Sequence, residues 1–379
     1  MSFSQASGKD ETLFIGTMSG TSHDGIDAAL IETSNAETKL LTTLFKPLPE
    51  QLREKLLNLN SPDYQGPLEE HLGLEQEFTH CVAELILELL DKSGLAATAI
   101  TAAGCHGHTV RHRPQGTAGY SLQLLSGAAL AVNTGIPVVC DFRSADIALG
   151  GTGAPLAPSF HHHFFARDGV DTAVVNVGGI ANVTIINSDG AVTTGFDTGP
   201  GNLLLDFCAS HFEQQPYDKE GAMARSGTIV PELLDQLLNH PFLKKTPPKS
   251  TGREEFNSQW LLGQCDRLSA TPSLPDLLAT LTELTAQTII TSIKESGFGS
   301  GEILVCGGGV HNRFLMERLT LLAGDCPLAS TSTRGFDPDW IEAMGFAWLA
   351  SRRWRQQPGN IPSVTGARRP AILGGLYLP

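Results

Sequence analysis

Cysteine is sparse in this 379-residue chain and never closely paired: seven residues, at 81, 105, 140, 208, 265, 306 and 326, with no C-x-x-C spacing. An odd, scattered set excludes a disulfide framework and a zinc ribbon, and it fits reduced thiols. No apolar run approaches the ~20 residues of a membrane-spanning helix. Residues 1–11, "MSFSQASGKDE", hold no apolar core segment, so no signal peptide is expected and the cytoplasm is the expected setting. Positive charge is short as well, with 26 Lys and Arg against 40 Asp and Glu and a formal net charge of −14. That balance argues against non-specific nucleic-acid or anionic-membrane binding, since both need a basic footprint. It leaves phosphate binding open where backbone N–H groups and helix N-termini do the holding. The P-loop pattern G-x-x-x-x-G-K-[ST] is absent too.

What is present is a globular composition, 41% hydrophobic and 17% charged. The length fits two domains, expected at residues 1–165 and 166–379, with the last helix packing back on the first. Residues 11–33 read as a hairpin: an apolar strand, the polar glycine turn of "GTMSGTSHDGID", then the strand "AALI". A Rossmann or P-loop glycine turn opens into a helix, and this one opens into a second strand. The pattern returns in "AVVNVGGIANVTIINSDG" (173–190), whose turn carries Asn176, Gly178, Gly179 and Asn182. Two such hairpins point to two related halves. Between them, Leu68, Leu72, Phe78, Val82, Leu85 and Leu89 recur at helical spacing and Gly94 marks a stop. Later, "EILVCGGGVHN" (302–312) reads as a buried strand running into three glycines, and "DWIEAMGFAWLASRRW" (339–354) as a helix.

Glycine turns at strand ends let the backbone approach an anion, and their successive N–H groups form anion-binding concavities. Asp24 and Asp27 would repel phosphate but suit hydrated Mg²⁺, which needs few protein carboxylates. Two facing hairpins would enclose a nucleotide triphosphate, with Gly307, Gly308, Gly309 and Asn312 beside the adenosine. Asp197 of "GFDTGPGN" either projects as a general base or closes an Asx turn, and Asn202 is placed to cap the helix that follows. "PKSTGREEFN" (248–257) is either a charged loop lining the site or a helix start with Thr251 as cap. The histidines of "CHGHTVRH" invite a metal-hydrolase reading through His106 and His108, which would leave both hairpins unexplained. Alternatively His108 or Arg111 binds sugar hydroxyls. Arg143 offers a fork for a carboxylate, and Asp146 an acceptor for hydroxyls.

In this order, "FIGTMSGTSHDGIDAALIE", "GCHGHTVRH", "DFRSADIALGGTGAPLAPSFHHHFF", "NVGGIANVT", "GFDTGPGNLLLD", "PKSTGRE-x-FN", "LVCGGGVHN" and "GFAWLA…PGN-x-PSVTGA" resemble the anhydro-N-acetylmuramic acid kinase family, from about residue 13 to the end. One residue departs: His23 stands where that family usually has leucine, which bears on the packing of the turn. The resemblance implies an α/β two-domain sugar kinase/actin-like ATPase (ribonuclease H-like) fold with the nucleotide in the interdomain cleft. It implies ATP-dependent phosphorylation of 1,6-anhydro-N-acetylmuramic acid on its 6-oxygen, with hydrolytic opening of the anhydro ring, in murein recycling. ATP and Mg²⁺ are the implied cofactors and a small anhydro amino sugar the implied partner; homodimerisation is left open. The family's nucleotide segment maps to Gly20, Thr21, Ser22, His23, Asp24, Gly25, Ile26 and Asp27, and its catalytic aspartate to Asp197. Arg143 is the candidate for the lactyl carboxylate, and His108, Asp146, Asn182 and Glu342 complete the expected sugar contacts. The rival within the superfamily is an actin-like ATPase or sugar sensor that transfers no phosphate to sugar.

Overall fold

The computed structural model describes residues 12–20, 23–34, 37–61, 64–116 and 118–379. Two compact units emerge: Met1–Phe160 together with Glu342–Pro379, and His161–Ile341. The first begins with strands β1 (Thr12–Ser19), β2 (Gly25–Thr33) and β3 (Thr38–Pro47), then helices α1 (Glu50–Asn60) and α2 (Leu68–Ser93). Strands β4 (Ile100–Arg113) and β5 (Tyr120–Leu124), helix α3 (Gly127–Thr134), strand β6 (Val138–Cys140) and helices α4 (Ser144–Ala148) and α5 (Ala157–Phe165) follow. The second unit runs through β7 (Thr172–Val177), β8 (Ile180–Ile186), β9 (Val192–Pro200), α6 (Leu203–Glu213), α7 (Ala222–Ser226), α8 (Pro231–Leu238) and α9 (Ser258–Cys265). It continues with α10 (Leu274–Glu295), β10 (Glu302–Cys306), α11 (Arg313–Ala323) and β11 (Leu328–Ser330). Helices α12 (Ile341–Trp354) and α13 (Pro362–Thr365) and strand β12 (Gly375–Tyr377) end the chain.

Each unit is built on one mixed sheet. The first has the order β12-β6-β4-β1-β2-β3, with β5 hung on β4, and the second β11-β10-β7-β8-β9. In both, three antiparallel strands come first and the next pairs parallel to the opening strand. The two related halves expected from the hairpins are therefore present as one strand order used twice.

Local chemistry explains these elements. In α2, Phe78, Val82, Leu85, Ile86 and Leu89 fill the core against Ile15, Leu56 and Leu130, and Gly94 ends the helix at φ 68°. Leu68 and Leu72 keep helical spacing but are exposed, so the buried stripe begins only at Leu74. The other face of this sheet meets α12. Gly16 and Gly104 sit opposite each other on β1 and β4. A methyl group at Gly16 would lie 1.9 Å from Ala343 O, and one at Gly104 2.1 Å from Phe346 O. The first glycine of the opening motif thus admits a helix rather than an anion. In the second unit β7 is buried along its whole length, and Val175, Val183 and Val305 pack against Ile289 of α10 and Leu315 of α11.

Close approach of helix and sheet has a measurable cost when filled. Gly104→Ala is expected to lower unfolding free energy by about 1–3 kcal/mol, because α12 must shift. Gly73→Ala, in α2 with nothing within 4 Å of the added carbon, is expected to raise it by about 0.5–1 kcal/mol. Thermal or denaturant unfolding of the two variants checks both signs.

Candidate active site

A polar row crosses the sheet of the second unit. Asn176 on β7 lies opposite Asn182 on β8, and Asn182 opposite Asp197 on β9. Directly paired residues of antiparallel strands project from one face, so these three side chains share a side. The pairing of Asn182 with Asp197 depends on a bulge: Ala181 pairs with Gly199, and Thr198 is the extra residue between. Thr198 is buried and its hydroxyl donates to Ala181 O at 3.2 Å, which ties the bulge down. Bulges of this kind re-aim a side chain.

Asp197 is gripped on one oxygen. Ser250 Oγ and Thr251 N–H both donate to its Oδ2 at 2.9 Å, and Asp197 N–H donates to Lys249 O at 3.2 Å. No donor reaches Oδ1 among the described residues. Burial pushes the carboxyl up to about 6, against the pull of the Thr251 and Ser250 bonds. Lys249 lies 5.1 Å from the Phe242 ring and 5.6 Å from the Phe196 ring, with its own pKa lowered by burial. The loop 248–257 therefore wraps the aspartate. Thr251 does not cap a helix; Asn257 does, accepting from Trp260 N–H at 2.9 Å.

The glycine turns of this unit meet one another. Gly178 O accepts from Asn202 N–H, and Gly179 O from Gly201 N–H and Leu203 N–H. A carbon added at Gly201 would lie 2.3 Å from Gly178 O. Asn202 makes no side-chain cap; its Nδ2 donates instead to Val177 O at 3.1 Å. Gly307, at φ 78°, and Gly309 run against β7: added carbons there would lie 2.3 Å from Asn176 Oδ1 and from Val177 Cγ1. Gly308 faces the Asn202 amide. Asn312 caps α11, its Oδ1 accepting from Leu315 N–H at 3.0 Å. Asn176, Gly178, Gly179 and Gly307–Gly309 are thus brought together, while Asn312 spends its carbonyl on the helix.

In the first unit, Thr21 and Ser22 lie outside the described residues. Gly20 O accepts from His23 N–H at 3.4 Å. His23, at φ 59°, is buried with its ring 4.6 Å from that of His108, so the turn packs on an imidazole. Asp24 is exposed and its Oδ1 accepts from Gly25 N–H; Asp27 is half-buried on β2. Gly25 lies under the Phe45 ring and Ile26 in the core, so neither offers a side surface to a ligand. Ser19 Oγ lies 3.1 Å from Gly25 O and 3.2 Å from His108 Nδ1, and Asn60 Nδ2 lies 3.4 Å from His108 Nε2. Burial, then the neighbouring His23, pulls His108 down to about 3. His108 is 1% exposed, so its place is beneath the first turn. Arg111 donates to Val110 O and Ser61 O.

The remaining expected sugar residues cluster elsewhere in that unit. Arg143 donates to Gly153 O at 2.7 Å and to His106 Nε2 at 2.8 Å. Burial lowers it to about 10, so it stays charged at neutral pH, and Glu342 acts on it in the opposite direction. Glu342 in turn is raised by burial and lowered by Arg143. Asp146 is fully buried: Oδ1 accepts from Asn360 Nδ2 and Thr365 Oγ1, and Oδ2 from Gly153 N–H. Its oxygens brace a loop and the C-terminal segment. His106 and His108, neighbours for the metal reading, go to separate partners, and among the described residues no three His, Cys, Asp or Glu side chains gather as a metal site. Nor is any helix among them long and apolar enough to cross a membrane.

The doubled strand order, with antiparallel hairpins feeding parallel strands, makes the chain an α/β protein built on two mixed sheets of like topology. The model of one family, anhydro-N-acetylmuramic acid kinase, matches residues 12–379. The protein of that name from Hahella chejuensis is 44% identical over 369 residues, covering 97% of this chain and 99% of its own. That from Nitrosospira multiformis is 46% identical over 365 residues, covering 96% and 98%. Among solved structures, an activator of the 2-hydroxyisocaproyl-CoA dehydratase from Clostridium difficile, with bound ADPNP, aligns at TM-score 0.49 and 12% identity over 92% of this chain and 99% of its own. A ROK family glucokinase from Streptomyces griseus, in complex with glucose and AMPPNP, aligns at 0.42 and 14% over 90% and 99%. The chain belongs to the anhydro-N-acetylmuramic acid kinase family and is an enzyme.

Because the Ser250 hydroxyl stabilises the charged form of Asp197, Ser250→Ala is expected to move that titration above about 6. Carboxyl ¹³C NMR against pH measures it; an unmoved or lowered midpoint contradicts the assignment.

Proposed function

We propose that this enzyme phosphorylates 1,6-anhydro-N-acetylmuramic acid on its 6-oxygen with ATP while water opens the 1,6-anhydro bridge, giving N-acetylmuramic acid 6-phosphate and ADP. The observation that carries the reading is the Asp197 carboxylate, held through Oδ2 and open at Oδ1. A base must reach the proton it removes and have a pKa near the working range, and a carboxyl raised to about 6 is charged at neutral pH yet more basic than an ordinary aspartate. In the reaction, Asp197 takes a proton from the water that attacks the anomeric carbon. The bond from that carbon to the 6-oxygen breaks, and the 6-oxygen accepts the γ-phosphoryl group as ADP departs. Asn182, on the same face beside Asp197, is placed to orient the water or the sugar.

The phosphates are assigned to the backbone of Gly178 and Gly179, where an added carbon would meet nothing closer than 3.5 Å, and the adenosine to the neighbouring Gly308. Asp24, exposed at its turn, and Asp27 fit a hydrated Mg²⁺, which needs only one or two carboxylates. When bound, it supplies charge neutralisation for phosphoryl transfer. Arg143, charged and held by neutral acceptors, is assigned to the lactyl carboxylate, with Glu342 near it. On this reading the enzyme serves murein recycling and works in the cytoplasm.

Coupled ADP release is expected only when Mg-ATP is joined by the anhydro sugar; equal release without sugar would favour a sensing or motor-like ATPase. Asp197→Asn keeps the shape and removes the base, so turnover is expected to fall about 10²–10⁴-fold with the fold intact by circular dichroism. For the wild type, kcat/KM is expected to fall as pH drops through about 6, because protonation of Asp197 removes the base. A flat profile from pH 5 to 8 would exclude Asp197 from that role.

A further inference from the structure

His106, on β4, is buried, and its ring centroid lies 4.7 Å from that of Phe346 on α12. Its two nitrogens have partners of opposite kind. Nδ1 is 3.0 Å from Gly107 O, and a carbonyl only accepts, so Nδ1 carries the hydrogen. Nε2 is 2.8 Å from Arg143 Nη2, and a guanidinium only donates, so Nε2 is bare. Both contacts select the same neutral tautomer. Burial and the Arg143 charge oppose protonation of the ring, which keeps it an acceptor.

The second acceptor on Arg143 is equally fixed. Gly153 O takes Nη1 at 2.7 Å, and Gly153 N–H is anchored on the buried Asp146, itself held by Asn360 and Thr365. The guanidinium is thus oriented by two neutral hydrogen-bond acceptors, with Glu342 acting on it through charge alone, and its Nε is buried with no partner among the described residues. The residue as a whole stays partly exposed. The loop it braces walls a cavity of about 530 Å³. Ser144, Gly150 and Thr152 lie on that wall, and Pro114, Gly116 and Tyr120 on another. A space of this size takes a small ligand such as an amino sugar.

We propose that His106 is a positioning residue for substrate specificity: as a neutral acceptor it sets Arg143 at the angle at which this loop reads a carboxylate on the sugar. The inference rests on the kinase reading and adds to it the group that makes an anionic sugar preferred. A leucine at 106 fills similar space and removes the acceptor, whereas glutamine restores an oxygen acceptor.

The experiment compares His106→Leu and His106→Gln with the wild type on two sugars, 1,6-anhydro-N-acetylmuramic acid and 1,6-anhydro-N-acetylglucosamine, which lacks the lactyl carboxylate. His106→Leu is expected to raise KM for the first sugar about 10-fold, the scale of a charge-assisted hydrogen bond. KM for ATP and for the second sugar stay near wild-type values, and His106→Gln recovers most of the loss. Equal loss on both sugars, or none on the first, overturns the proposal. Imidazole ¹⁵N NMR of the wild type tests it apart from turnover: Nδ1 protonated and Nε2 bare at pH 7 is expected, and a charged or Nε2-protonated ring overturns it. If the wild type turns over neither sugar, the kinase reading fails, and the tautomer together with Arg143-dependent binding of the carboxylate sugar by calorimetry still decides the role of His106. Loss of that binding in His106→Leu supports it, and unchanged binding overturns it.

Discussion

One extra residue in β9 orders much of the second unit's polar face. Thr198 is inserted between the partners of Ala181 and Asn182, and its hydroxyl bonds back to Ala181 O. In a ladder without the bulge, Asn182 would pair with Thr198 and Asp197 with Val183, which would put Asp197 on the opposite face of the sheet from Asn182. With it, Asn176, Asn182 and Asp197 line one face. The loop at 249–251 then meets the aspartate from one side only. A carboxylate drawn partly out of water needs donors, and two on a single oxygen hold it while leaving the other able to accept a proton.

The two units use the same strand order but spend their glycines differently. In the first, Gly16 and Gly104 form a level place on which α12 lies against the sheet. In the second, Gly201, Gly307 and Gly309 let three turns close on one another around β7. A duplicated architecture therefore carries two separate tasks: one surface packs a helix, and the other gathers backbone turns. The first hairpin rests on buried Ser19, His108 and His23 with half-buried Asn60 beside them, which explains how an imidazole is accommodated at position 23. Left-handed backbone at His23 is a conformation that histidine tolerates better than branched residues.

Much of the fold was legible because its signals are local. Alternating and continuous apolar runs marked both hairpins, Gly94 marked the end of α2, and the apolar pattern after Trp340 marked α12. The site was less legible because its contacts are distant in sequence. Ser250 meets Asp197 across 53 positions, and Asn360 meets Asp146 across 214. No spacing rule reaches that far, so loop 248–257 stayed ambiguous and Asp146 looked available for sugar. Asn202 shows the local failure: its residue type favours a cap, but a carbonyl at Val177 lies within reach and takes the amide instead. His106 was visible only as half of a His-x-His pair, and its real partner, Arg143, lies on another segment.

The most direct measurement follows one oxygen atom through a single turnover in H₂¹⁸O, quenched rapidly and resolved by mass spectrometry. If Asp197 activates water against the anomeric carbon while the 6-oxygen takes the phosphoryl group, one ¹⁸O enters the sugar at that carbon and none enters the phosphate. Label in the phosphate, with the anhydro ring intact, would contradict the mechanism.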